Sequence, residues 1–160
     1  MDYLLILFII LVTIFVTYIS TIILKYGVLP SVSDSYYHLP KKYNFLFTLF
    51  CWSFAIPTLI IGVELTDNFL MFLAGAGICF VGAAAQFKEE LTKQVHTYSA
   101  WVGVISSQLS IIFDFKMYYV SILFLLPSLL LMILKPKNYT FWIEIIAFSL
   151  ICYVLGVNIL

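Results

Sequence analysis

Glu144 is a carboxylate set inside an apolar run, FWIEIIAFSLICYVLGV. Such a group in hydrocarbon is costly and usually faces a bundle interior, which makes it a functional candidate. It stands five residues beyond Tyr139, about 7.5 Å of helix rise, so it can also reach headgroups or pair with Lys135 or Lys137. The chain has two histidines. His96 begins a polar helix face and follows a connector bearing Glu89 and Glu90, whereas His38 closes the richest polar segment, Ser31-Val32-Ser33-Asp34-Ser35-Tyr36-Tyr37-His38. Within that segment Ser33 or Asp34 suits the cap of a short interfacial helix, with Tyr36 and Tyr37 at headgroup depth. Read for chemistry, Asp34, His38, His96 and Glu144 lie near one membrane face. Imidazole and carboxylate side chains can hold a divalent metal such as zinc, or act as an acid and a base. His96, Asp34 and Glu144 are thus the candidate catalytic residues, and the same three with His38 the candidate metal ligands. No local spacing such as HxxxH joins any two of them, so the residues by themselves require no cofactor and zinc is the alternative.

The elements that must position these residues follow from composition. Hydrophobic residues make up 64% of the 160 positions and charged residues 10%, with a mean hydropathy of +1.11. A soluble domain carries roughly 25% charged residues. Six runs of the length a spanning helix needs, Leu4–Leu24, Phe45–Val63, Phe69–Phe87, Val95–Phe113, Met117–Leu134 and Tyr139–Ile159, predict one all-α domain, a polytopic transmembrane helical bundle of six spans. A barrel is rejected, because its strands need only about 9–11 residues. Leu4–Leu24 is too long for a signal-peptide core, lacks a cationic start and has no small-x-small site before Lys25, so it is expected to remain as the first span.

Lysine distribution orients the bundle. Connectors 25–44, 88–94 and 135–138 carry Lys25, Lys41, Lys42, Lys88, Lys93, Lys135 and Lys137, against Lys116 alone on the other side. The positive-inside rule places those three connectors in the cytoplasm and both termini outside, in a multi-pass protein of the cell's inner, cytoplasmic membrane. Asp2, Glu64, Asp67 and Asp114 on the opposite face are compatible with this orientation. A formal net charge of zero supplies no basic field for a nucleic-acid backbone. Cys51, Cys79 and Cys152 read as small buried hydrophobes.

Close helix packing in lipid relies on small residues. Gly75, Cys79, Gly82 and Gln86 form such a seam on the third span, beside a stripe of Ala74, Gly77 and Ala84, and this span is expected to be central. His96, Ser99, Gly103, Ser106 or Ser107, and Ser110 form a second seam on the fourth, with Gln108 nearby, expected to face protein or water. The fifth span is nearly featureless and is expected to face lipid along much of its surface.

The segments SDSYYHLPKK, FLAGAGICFVGAAAQFK and VHTYSA resemble a group of small membrane proteins of gut Bacteroidales bacteria and their phages, over roughly Ser31 to Phe113. That group has no assigned activity, so the resemblance implies a coherent membrane family and an association with phage. Ser33, Asp34 and His96 followed by Ala100 are also similar in type and order to the CREST superfamily of membrane hydrolases, which includes alkaline ceramidases. This second resemblance implies a zinc-dependent lipid hydrolase, with Glu144 and His38 standing in for the late HxxxH that the last span lacks. The leading expectation is a membrane protein that binds a lipid, a small amphiphile or a membrane partner through a polar pocket on the cytoplasmic leaflet. The alternatives are a metal-dependent lipid hydrolase and a phage-associated envelope modifier or pore-forming protein. The expected partners are the bilayer, such a ligand and a second copy of the chain; nucleic acid is not among them.

Overall fold

The computed structural model describes residues 2–160, with the Asp2 side chain outside the described residues. Among them the chain is all helix and has no strand: α1 (Asp2–Tyr26), α2 (Ser35–His38), α3 (Phe45–Leu65), α4 (Leu70–Ala83), α5 (Glu90–Phe113), α6 (Tyr118–Leu134) and α7 (Tyr139–Ile159). Three of these, Tyr3–Tyr26 within α1, α3 and α7, are long and apolar enough to cross a membrane. Helices α4 and α6 are apolar but shorter, at 14 and 17 residues. Helix α5 has the length, at 24 residues, but carries the polar seam.

The third apolar run does not stay helical to Phe87 as expected. It stops at Ala83, and Gln86 lies in the turn beyond, exposed and donating to the Tyr36 hydroxyl at 3.1 Å. The chain can leave the helix there because a side chain from α3 takes the Gly82 carbonyl, which a continuing helix would have used, and a second braces the last turn. Thr48 donates to Gly82 O at 2.8 Å and the Trp52 indole to Cys79 O at 3.0 Å. Helix α5 begins at Glu90, before the apolar run that opens at Val95, and Glu90 in its first turn complements the positive end of the helix dipole.

Helix α4 lies between α3 and α5 and packs broadly against both, while α3 also reaches α1, α2 and α7. The glycines of α4 make both contacts. A Cβ added at Gly75 would lie 2.8 Å from the Leu59 Cβ and 2.9 Å from the Ala55 carbonyl on α3, and one at Gly82 would lie 2.6 Å from the Cys51 Cβ. Gly77 faces α5, where a Cβ would meet Gly103 N and Ser99 O, each at 2.7 Å. The small-residue stripes therefore set how closely the three backbones approach. On the other side, an aromatic cluster joins α1, α3 and α7: Phe54 meets Phe148 edge-on at 4.8 Å between ring centroids, and Phe15 meets Phe54 at 5.9 Å. Helix α6 leaves Ile122, Leu123, Leu125, Leu126, Leu129 and Leu130 exposed, an apolar outer face.

Hydrogen bonds between connectors sort them into two ends. Lys88 pairs with Asp34, the Tyr37 hydroxyl accepts from Lys88 N, and Asn138 Nδ2 donates to Val28 O at 2.6 Å, so connectors 25–44, 84–89 and 135–138 share one end. Asn68 Nδ2 donates to Asp114 Oδ1 at 2.7 Å, which joins the remaining two connectors at the other. Seven of the eight lysines thus cluster at a single end of the bundle.

Candidate functional site

The site begins where the chain leaves α1. Gly27, at φ +76°, makes the left-handed turn that ends this helix, and its N–H still reaches Ile23 O at 2.9 Å. The next stretch folds inward rather than out to solvent, with Leu29, Val32, Ser33 and Ser35 all buried. Three ties hold it there. Pro30 O accepts from the N–H of Phe141, one of the free donors in the first turn of α7, at 3.2 Å. Tyr18 and Ser35 share a hydroxyl–hydroxyl hydrogen bond of 2.6 Å. Glu144, from the second turn of α7, accepts the Val32 N–H at 2.5 Å. Glu144 is thus turned inward, away from the expected Lys135 and Lys137.

Ser33, the residue after Val32, meets His96. The imidazole Nδ1 lies 3.0 Å from Ala84 O and 3.2 Å from Val81 O, and Nε2 lies 3.1 Å from the Ser33 Oγ. Carbonyl oxygens only accept, so Nδ1 carries the proton and donates to both of them. Nε2 is then left with its lone pair, and the Ser33 hydroxyl donates to it. Val81 O and Ala84 O are orphan carbonyls at the C-terminus of α4, so the early end of that helix fixes the tautomer of His96. The Phe87 ring stacks on the imidazole at 4.7 Å between centroids and holds its plane.

Ser33 and Glu144 stand among the walls of a cleft with a cavity volume of about 80 Å³ between α3, α4, α5 and α7. Its other walls are largely apolar: Phe47 and Phe50 from α3, Ile78 from α4, Val104 from α5, and Phe148 and Ile151 from α7. That volume is below the about 300–1,000 Å³ of sites that enclose a whole small molecule, so the cleft holds one end of a ligand, and an apolar lining with a few fixed polar groups is the usual chemistry of such sites.

The expected four-residue metal set is not assembled. Asp34 turns outward to Lys88, with Nζ 3.0 Å from Oδ1, and its other oxygen accepts from Ser31 Oγ at 2.9 Å. The Lys88 side chain is 55% exposed, so solvent screens the pair and it contributes little. His38 is exposed and donates from Nδ1 to Asp34 O, one turn back, at 2.9 Å. Neither residue shares a site with His96, and among the described residues no three His, Cys, Asp or Glu side chains converge as metal ligands. A zinc held by Ser33, Asp34, His38, His96 and Glu144 does not fit this arrangement. Asp34 also forms no side-chain cap on α2.

In the seams, Gly103, Ser106, Ser107 and Ser110 are buried, and Ser99 presents its carbonyl to Gly77. Gln108 is buried with neither amide atom bonded to protein among the described residues. Ser33 as the partner of His96 is a pairing that residue types alone do not reveal. It is one of three serines in a five-residue stretch, and its distinguishing feature, burial beside Val32, is tertiary. No protein family, curated protein or solved structure matches the chain.

Proposed function

We propose that this chain is a multi-pass protein of a bacterial cytoplasmic membrane that binds the polar end of a single lipid or similar amphiphile in its central cleft. It crosses six times, through α1, α3, α4, α5, α6 and α7, with the lysine-rich end in the cytoplasm and both ends of this chain outside. The shortness of α4 is compatible with a crossing, because it is flanked by α3 and α5 and its terminal carbonyls are taken by Thr48 and His96 rather than left to lipid. The observation that carries the binding proposal is the cleft itself: apolar walls from four helices, with Ser33 and Glu144 where the cleft meets the lysine-bearing connectors. The polar end sits beside Ser33 and Glu144, the first carbons of the acyl chain lie against Phe47, Ile78, Phe148 and Ile151, and the rest of the chain leaves the open side of the cleft for the bilayer. A carboxyl group at that position suits a polar end that donates hydrogen bonds, a hydroxyl or an amine, over a phosphate.

Photocrosslinking tests this proposal. A single-chain lipid with a diazirine in its acyl chain is expected to label peptides from α5 and α7 in membranes. Ala147→Phe, which fills the cleft from a buried wall position, is expected to lower that labelling at least tenfold. Leu125→Phe on the outer face of α6 is expected to leave it unchanged. Equal labelling of wild type and Ala147→Phe would place the lipid outside the cleft and refute the proposal.

A further inference from the structure

We propose that Ser33 is a covalent nucleophile and His96 its general base, so that the cleft hydrolyses a neutral long-chain carboxylic ester without a metal. This rests on the lipid-binding proposal and names its substrate class.

Three observations carry it. The Ser33 hydroxyl donates to His96 Nε2 at 3.1 Å, which is the contact a base needs to take the proton as Oγ attacks. The far side of the imidazole is held by two carbonyls, at 3.0 and 3.2 Å, in the place where an acidic side chain orients the histidine of a catalytic triad. Those carbonyls are the negative end of the α4 dipole, where the positive charge of the imidazolium would form. Third, Ser33 lines the apolar cleft although only 5% of its surface is exposed, so a ligand in the cleft reaches it while bulk water scarcely does. Glu144 acts as a positioning residue: by accepting the Val32 N–H it fixes the backbone immediately before the nucleophile.

The reaction balances without an oxidant or reductant. Ser33 Oγ bonds to the ester carbonyl carbon as its proton passes to His96 Nε2. The bond from that carbon to the alkoxy oxygen breaks, and the alcohol leaves with the proton from Nε2. Water then adds to the acyl-serine, giving its proton to Nε2. The bond between the acyl carbon and Oγ breaks, the carboxylic acid departs, and Oγ regains the proton.

The test uses the full chain in membranes and a long-chain alkyl fluorophosphonate, which phosphonylates an activated serine with loss of fluoride. The expected result is a single adduct, located by peptide mapping at Ser33 of the wild-type protein, so the assignment needs no variant to fold. Ser33→Ala is expected to abolish it, and His96→Asn to slow its formation about 100-fold, the lower end of general-base contributions. An adduct elsewhere, or an unchanged rate in His96→Asn, would overturn the assignment. No adduct on a wild-type protein that still captures the diazirine lipid would overturn the catalytic proposal and leave the binding proposal standing. Failure of both probes on the wild type would overturn both.

Discussion

Gly77→Ala is expected to destabilise the bundle by about 1–3 kcal/mol, the cost of forcing extra atoms into a packed interior. Gly103→Ala, on the facing helix, is expected to change stability much less. The added methyl at residue 77 would sit 2.7 Å from Gly103 N and 2.7 Å from Ser99 O. Both are backbone atoms of α5, and no rotamer change can move them, so α4 and α5 must separate along their shared face. At Gly103 the nearest atom to a new Cβ is Ala74 O at 3.5 Å, an ordinary contact. The two substitutions add the same methyl group at the same interface, so lost backbone freedom and side-chain chemistry cancel in the comparison. Unfolding in mixed micelles by rising fractions of denaturing detergent measures the difference. Equal losses, or a larger loss at residue 103, would show that α4 and α5 do not approach as described.

Replacing His96 by Leu is expected to cost on the order of 3 kcal/mol or more, since a buried polar group left without its partner costs about 1–3 kcal/mol. The substitution strands Val81 O, Ala84 O and the Ser33 hydroxyl together. All three lie where the proposed bilayer offers no replacement donor or acceptor. The damage should be local first: the turn after α4 loses its hold on α5, so proteolysis of the 84–89 segment should accelerate before global unfolding does. A His96→Leu protein as stable and as protease-resistant as wild type would remove the link between the α4 terminus and α5.

These two residues mark what the amino-acid pattern could and could not reveal. The first, second and last apolar runs matched α1, α3 and α7 closely, because long apolar stretches bounded by Lys, Asn or Asp leave little choice of element. The third run misled at its end. Ala83, Ala84 and Ala85 continue the apolar pattern, and what stops the helix is a pair of distant donors: Thr48 in α3, 34 residues before the carbonyl it takes, and His96 in α5, 12 and 15 residues after the two it takes. Glu144 was conspicuous as a carboxylate in an apolar run, yet its partner is a backbone N–H 112 residues away, which no side-chain pattern encodes. Lysines 135 and 137 looked nearer in sequence but both are exposed. Asp34 and His38 drew notice for residue type alone. Asp34 is taken by Lys88 and Ser31, and His38 turns back on its own helix. The grouping of seven lysines at one end, by contrast, was fully legible, since the alternating direction of successive long helices fixes which connectors are neighbours.

The proposed function requires that this lysine-rich end, with Ser33 and Glu144 beneath it, faces the cytoplasm. Single cysteines placed in a variant lacking Cys51, Cys79 and Cys152, at Lys42, Lys137, Asp67 or Lys116, can be probed with a membrane-impermeant maleimide on spheroplasts. The expected result is labelling at positions 67 and 116 in intact spheroplasts, and at 42 and 137 only after lysis. Labelling of 42 and 137 from outside would contradict it.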